Sequence, residues 1–334
     1  MLHTPTVITS MVHTPPLTRP MLHAPLMTHP CCHTHPTHDT HDPHSPHPLP
    51  PSTHPHPLTP THFPNSSCRC VLSHQERIGS IRAMRDLKLE MQLMCRMDHP
   101  HVLAVRAVGQ HRNGMPFMCL DLLHSVLSNE LPRPADDAPL WSRQKAMRRW
   151  PLTRAIHCAL CLAEAMEYCH QRAFAGHRVL HRDLKPTNIG FLADGRLVLF
   201  DFGLASAWKL RDAEPPSDKE RRPLTGETGS LRYMAPEVAL GQQYNHKAEV
   251  FSFAGVLFEM ASLQRPFSWM DSSMYLREAC VQGVRPKIDC YGWPKPFVDL
   301  LTSCWHADPN MRPNFCDIVP MLRSLHAKLT LYNA

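Results

Sequence analysis

Between residues 181 and 237 the chain gathers the side chains best suited to chemistry. His181-Arg182-Asp183-Leu184-Lys185-Pro186-Thr187-Asn188 sets a carboxylate, an ammonium and a carboxamide within one short stretch. A second carboxylate, in Asp201-Phe202-Gly203, follows Asp183 by 18 residues, and Ala235-Pro236-Glu237 comes 34 residues later. A carboxylate such as Asp183 can orient and deprotonate an attacking hydroxyl. Lys185 can neutralise charge that builds up beside it. Asn188 and Asp201 offer oxygen donors, which a hard cation such as Mg²⁺ prefers. The chemistry would be activation of a hydroxyl next to a bound divalent cation.

Such residues need elements to hold them. Leu152 to His170 reads as a helix with Pro151 at its first turn. Its inward face would be Ile156, Ala159, Ala163 and Met166. Cys158 and Cys161 lie on that helix with no second pair nearby, so they read as core thiols rather than half a zinc site. Ala248 to Ala261 is apolar nearly all round, the mark of a helix buried on every side. Upstream, Ser80 to Met97 predicts an amphipathic helix, with Leu87, Met91 and Met94 on one line and Leu89, Leu93 and Met97 beside it. Val102 to Val108 and Phe117 to Leu123 predict two short strands joined by the turn His111-Arg112-Asn113-Gly114. The remainder, to Leu331, is helical with loops punctuated by Pro. This pattern predicts an α+β protein with a large helical part.

Composition narrows the class. The chain has 334 residues, 43% hydrophobic and 19% charged, so it can bury a substantial core. A net charge of +6 is too mild for a dedicated nucleic-acid binder. Residues 1 to 64 stand apart, with 16 Pro, 13 His and 12 Thr but neither Gly nor Lys. Prolines at this density prevent helices and sheet ladders, so residues 1–66 are expected to be a disordered low-complexity tail. Clustered imidazoles could capture a metal, but their spacing is irregular and no cysteine pattern completes a site. Thirteen cysteines without framework spacing, no secretory signal and no membrane-length apolar run predict an intracellular, cytoplasmic chain with free thiols.

The three motifs, in this order and at these spacings, resemble the protein-kinase signature set of catalytic loop, magnesium motif and end of the activation segment. The resemblance spans residues 80 to 330. It implies a two-lobed protein-kinase-like fold of the α+β class: a truncated small β-rich lobe at 67–123 and a complete helical large lobe at 124–334. It implies Mg²⁺-dependent transfer of the ATP γ-phosphate to Ser or Thr of a protein substrate, without nucleic-acid or membrane partners, and leaves oligomeric state open. Asp183 would be the base, Lys185 the charge stabiliser, and Asn188 and Asp201 the metal ligands. Lys185 resembles the serine/threonine rather than the tyrosine kinases, and Cys304-Trp305 through Arg312-Pro313-Asn314-Phe315 resembles the tyrosine-kinase-like group. Glu90, nine residues before His99-Pro100, matches the glutamate of the kinase αC helix. Met94, His181 and Phe202 would stack as a spine between the lobes. Leu120 matches the gatekeeper, so backbone groups of Asp121 and Leu123 would bind the adenine edge. Glu237 would pair with Arg312. Ser230 resembles the hydroxyl residue that contacts the catalytic Asp and Lys. Arg182 implies tuning by a phosphate, with Thr225 and Thr228 as acceptors.

Two expected parts are missing. No Gly precedes Gly79, so no Gly-rich loop precedes Glu90 to cover the phosphates. No Lys precedes Lys88, so the strand lysine that should pair with Glu90 is absent. Lys88 cannot replace it, because residues two apart on a helix face different ways. Only arginines such as Arg69 or Arg77 are available instead. Glu249 also stands where the family carries an aspartate that anchors the catalytic loop, and its extra methylene predicts a displaced carboxylate. Either the tail replaces the first strands of an ordinary kinase through a wrong gene start, or the chain as written is a catalytically impaired pseudokinase that acts as a binding scaffold. The undecayed large-lobe residues favour the first.

Overall fold

In a computed structural model of the chain, residues 74–332 are described, apart from 113, 136–137, 211–219, 225–229 and 289–291. The expected tail at 1–66 and the candidate acceptors Thr225 and Thr228 therefore lie outside the described residues. Helix α1 (His74–Met94) starts six residues before the predicted Ser80 and ends at Met94, because Cys95 and Arg96 form a closing turn. It turns Met94 into the core and leaves Leu89 exposed. Strands β1 (Val105–Gln110) and β2 (Pro116–Leu120) then form the predicted hairpin, with Val108 opposite Met118 and a bulge between Val105 and Ala107. The second strand stops at Leu120 rather than Leu123, where the chain leaves the sheet as a connector.

Beyond the connector come β3 (Ser125–Val126), α2 (Leu127–Glu130), α3 (Leu140–Arg149) and α4 (Leu152–Gln171). Helix α4 matches its prediction, with Pro151 as the N-cap and Ile156, Ala159, Ala163 and Met166 fully buried. Cys158 and Cys161 are buried free thiols on the same helix, pushed up by burial to about 12 and about 11. Helix α3 has no counterpart in the sequence reading.

Short strands carry the motifs. These are β4 (His177–Leu180), β5 (Ile189–Phe191), β6 (Leu197–Leu199) and β7 (Ser206–Lys209). The order β3-β5-β6 forms one antiparallel sheet and β4-β7 another. At Gly190 in β5 a Cβ would sit 2.7 Å from a Leu123 methyl, so a larger residue there would push the Leu123 side chain of the connector aside. The Leu103 N–H donates to the Leu199 carbonyl and the Leu199 N–H to the His101 carbonyl, both at 2.9 Å, which ties the segment after α1 to β6.

Helices α5 (Pro236–Ala239), α6 (Lys247–Ser262), α7 (Ser272–Met274), α8 (Lys295–Cys304) and α9 (Phe315–Tyr332) complete the fold, with a π-helical stretch Tyr275–Val281 after α7. As its sequence requires, α6 is buried along nearly its whole length, charged residues included. It runs beneath the catalytic loop, packed on α4 and α8. One continuous core runs from Met94 to Leu325. Among the described residues no helix is long and apolar enough to cross a membrane.

Candidate active site

Asp183 lies at the centre, 8% exposed. Its Oδ2 accepts from Lys185 Nζ at 2.6 Å and from Asn188 Nδ2 at 3.1 Å. Its Oδ1 accepts from the Ser230 backbone N–H at 3.2 Å. Ser230 thus reaches Asp183 through its main chain, where the sequence resemblance pointed to its hydroxyl. Asn188 also donates to the Asp183 carbonyl at 2.9 Å, closing the loop on itself. Asp183, Lys185 and Asn188 converge because the loop between β4 and β5 tightens into a 3-10 turn at Pro186–Asn188. A narrow cleft of about 30 Å³ beside Asp183 is bordered by Ser230 and Tyr233.

The residues before Asp183 are fixed from beneath. Arg182 has φ +70°, an unfavourable backbone for a non-glycine residue that needs support. Glu249 of α6 provides it: Oε1 accepts the Arg182 N–H at 2.6 Å, and the His181 N–H bonds to the same carboxylate. The displaced anchor predicted for Glu249 is therefore corrected. The longer side chain still reaches the loop, and its second oxygen meets His170 Nε2 at 2.6 Å at the end of α4. Burial raises the Glu249 carboxyl to about 7, while these donors pull it down. His181 Nε2 lies 3.0 Å from the Phe200 carbonyl and Nδ1 accepts the Asp183 N–H at 3.3 Å, which assigns the proton to Nε2. The His181 ring meets Phe202 edge-to-face at 4.7 Å, and Met94 is buried in the same core. The Arg182 guanidinium donates to the Tyr244 hydroxyl at 3.0 Å and to the Leu204 carbonyl at 3.3 Å.

Opposite lies the place where the pattern breaks. Asp201 has φ +65°, and Glu90 of α1 faces it across Gly203. Burial and the Asp201 charge raise the Glu90 carboxyl to about 7, against the Phe202 N–H that bonds to it. Among the described residues no Lys or Arg pairs with Glu90. A carboxyl raised by folding holds its proton more tightly in the folded chain, so stability falls as pH climbs from the ordinary carboxylate range towards 7. Glu90→Gln is therefore expected to melt above the parent at about pH 8, in metal-free and nucleotide-free protein, with the gap closing near pH 5. A gap that does not change with pH would count against the Glu90–Asp201 repulsion.

At the connector, the Asp121 carboxylate is held by Arg106 through two bonds of 2.6 and 2.7 Å. Leu120 and Leu123 are half-buried, and the Asp121 and Leu123 backbone groups make no hydrogen bond within the described residues. Two further contacts had no signal in the sequence. The Tyr233 hydroxyl donates to Glu259 of α6, and Arg133 after α2 ion-pairs with the same carboxylate at 2.6 Å. The expected Glu237–Arg312 pair is present and buried, with bonds of 2.6 and 3.0 Å.

Among the described residues no three His, Cys, Asp or Glu side chains converge as a self-sufficient metal site. The Asn188 and Asp201 oxygens suit a cation that takes one or two protein ligands and completes its shell with water and substrate phosphates, the habit of Mg²⁺.

The protein kinase domain family matches residues 71–321. Serine/threonine-protein kinase VIK of Arabidopsis thaliana is 32% identical over 248 residues, covering 74% of this chain and 52% of that protein. Serine/threonine-protein kinase STY17 of the same plant is 36% identical over 170 residues, 51% of this chain and 27% of its own. Human mitogen-activated protein kinase kinase kinase 11 is 28% identical over 251 residues, 73% and 26% respectively. The chain thus spans about half or less of the length of these relatives. With the family match covering most of the chain and Lys185 and Asn188 meeting on Asp183, the chain belongs to the protein kinase domain family.

Proposed function

We propose that this chain is a protein serine/threonine kinase that transfers the γ-phosphate of ATP to Ser or Thr hydroxyls of a protein substrate. The observation that carries this reading is the Asp183 carboxylate, whose oxygens are fixed by Lys185, Asn188 and the Ser230 N–H. Asp183 orients the substrate hydroxyl and takes its proton as oxygen attacks phosphorus. Lys185 neutralises charge on the transferring group, and the bond to the ADP oxygen breaks in line. Asn188 and Asp201 would hold Mg²⁺, which when bound neutralises phosphate charge. The Asp121 and Leu123 backbone groups would take the adenine edge beside Leu120, while Glu90 would orient the phosphate side of the site.

A second reading, a catalytically impaired scaffold, is favoured by one observation: Glu90 faces Asp201 with no cation between them among the described residues. Loss of such a charge partner costs at least ~10²-fold in rate by analogy with removing one transition-state donor. The test is labelled-phosphate transfer from Mg²⁺-ATP to a generic protein substrate, with the parent beside Asp201→Asn. Transfer by the parent alone supports the kinase. No transfer from either overturns it for this chain and leaves the scaffold.

A further inference from the structure

Four imidazoles meet where three stretches of chain cross. His99 and His101 lie in the segment after α1, His157 on α4 and His326 on α9. His99 stacks on Tyr168 of α4 at 4.9 Å, and the Asp98 N–H donates to the Tyr168 hydroxyl at 2.8 Å. His99 Nδ1 accepts the His101 N–H at 3.1 Å, a bond that a proton on that nitrogen would break. The His99 and His101 ring centroids are 5.7 Å apart, and those of His157 and His326 5.1 Å. His101 joins the two pairs, because a charge on its ring bears on both His99 and His157. Its Nδ1 lies 2.8 Å from the Leu197 carbonyl, which can only accept, so Nδ1 carries a proton and Nε2 faces Glu164 Oε2 at 3.7 Å.

The surrounding charges do not balance four imidazolium ions. Glu164 is the carboxylate that bears on both pairs, and its other oxygen accepts from Arg323 of α9 at 2.7 Å. Asp98 favours a proton on His99, whereas Arg172 at the end of α4 opposes it. Cys161, 3.9 Å from His157 Nε2, is pushed up to about 11 by burial and so adds no charge. Beside Leu197, Arg196 is taken up by Asp194 at 3.5 Å. Burial first, then the neighbouring imidazoles, lower His99 to about 4, and they lower His157 in the same way. Such rings take up protons less readily in the folded chain than in the unfolded one. The stability they contribute is full above about pH 6.5 and drains as pH falls towards 4.

We propose that this cluster is a pH-sensitive latch: with neutral rings it clasps the segment after α1 to α4 and α9, and protonation drives the rings apart and releases that segment. Release would reach α1, which carries Glu90, and β6, whose Leu199 N–H donates to the His101 carbonyl. The test compares the full chain with two variants that share no substituted ring. His157→Gln/His326→Gln changes one exposed and one half-buried ring. His99→Asn keeps an acceptor for the N–H two residues on but cannot be protonated. Between pH 7.5 and 5 the parent melting temperature should fall at least ~3 °C further than that of either variant. The histidines of residues 1–66 and the Glu90 carboxyl titrate in all three chains, so their effect cancels in the difference. Glu164→Gln, which removes the shared anion, should steepen the fall. Hydrogen exchange, corrected for its intrinsic rate, should show the Leu103 and Leu199 N–H groups losing at least ~10-fold more protection at pH 5 in the parent than in the variants, with α6 still protected. Parallel falls in the parent and both variants overturn the proposal, and so does protection that is unchanged at pH 5 or lost evenly along the chain. A variant that folds poorly at pH 7.5 leaves the other to decide.

Discussion

Asp183→Asn is expected to lower phosphate transfer by about 10²- to 10⁴-fold, the usual contribution of a positioned base. The substitution keeps shape but loses basicity. It also swaps one acceptor oxygen for an amide that must face either the Lys185 and Asn188 donors or the Ser230 N–H. A donor opposed to a donor in a site this buried should cost about 1–3 kcal/mol of stability. A large loss of rate with a modest loss of melting temperature is therefore the expected pattern, read from the same labelled-phosphate assay and a thermal melt. Equal transfer by parent and variant would remove Asp183 from the chemistry. A variant that is inactive only because it is unfolded would reveal itself in the melt.

Arg312→Ala should have the largest effect on stability. The Arg312 side chain is fully buried and that of Glu237 is 5% exposed. Besides its fork on Glu237, the guanidinium donates to the His306 carbonyl at 2.9 Å and the Lys247 carbonyl at 3.0 Å. In return, Lys247 Nζ donates to the Arg312 carbonyl at 2.7 Å. Removing the cation leaves the Glu237 carboxylate buried without its charge partner, which typically costs about 3–5 kcal/mol. In a domain of this size that corresponds to a melting temperature lower by about 6–20 °C. Arg312→Lys should recover only part of the loss, because an ammonium cannot reproduce the planar fork. The double variant Arg312→Met/Glu237→Met should be less destabilised than Arg312→Ala, since it leaves no orphaned charge. A double variant worse than the single would mean that the hydrogen bonds, not the stranded carboxylate, dominate.

The motif chemistry was legible because it is local. Asp183, Lys185 and Asn188 sit within six residues, and the 3-10 turn at Pro186–Asn188 gathers them within one loop. Helices α4 and α6 were legible for a related reason: each buries a periodic or continuous apolar surface, and that surface is written in consecutive residues. Helix α3 was not, since a helix that buries only Ala146 shows no apolar stripe directed at the core. The strands β4 to β7, three or four residues each, are too short for alternation to emerge, and β4 finds β7 far along the chain.

Residue types and spacing thus determined on their own which groups sit together in the motif loop, which long helices would form, and that no lysine precedes Lys88 and no Gly-rich loop precedes Glu90. Tertiary structure decided what those groups face. Whether Glu249 reaches Arg182 depended on where α6 lies beneath the loop and on His170 at the end of α4 receiving its second oxygen. That Glu90 looks at Asp201, and that His99 and His101 meet α4, likewise depend on contacts between segments far apart in sequence. Spacing along a chain encodes local geometry, whereas these partners are chosen only when the core closes and sets one element against another.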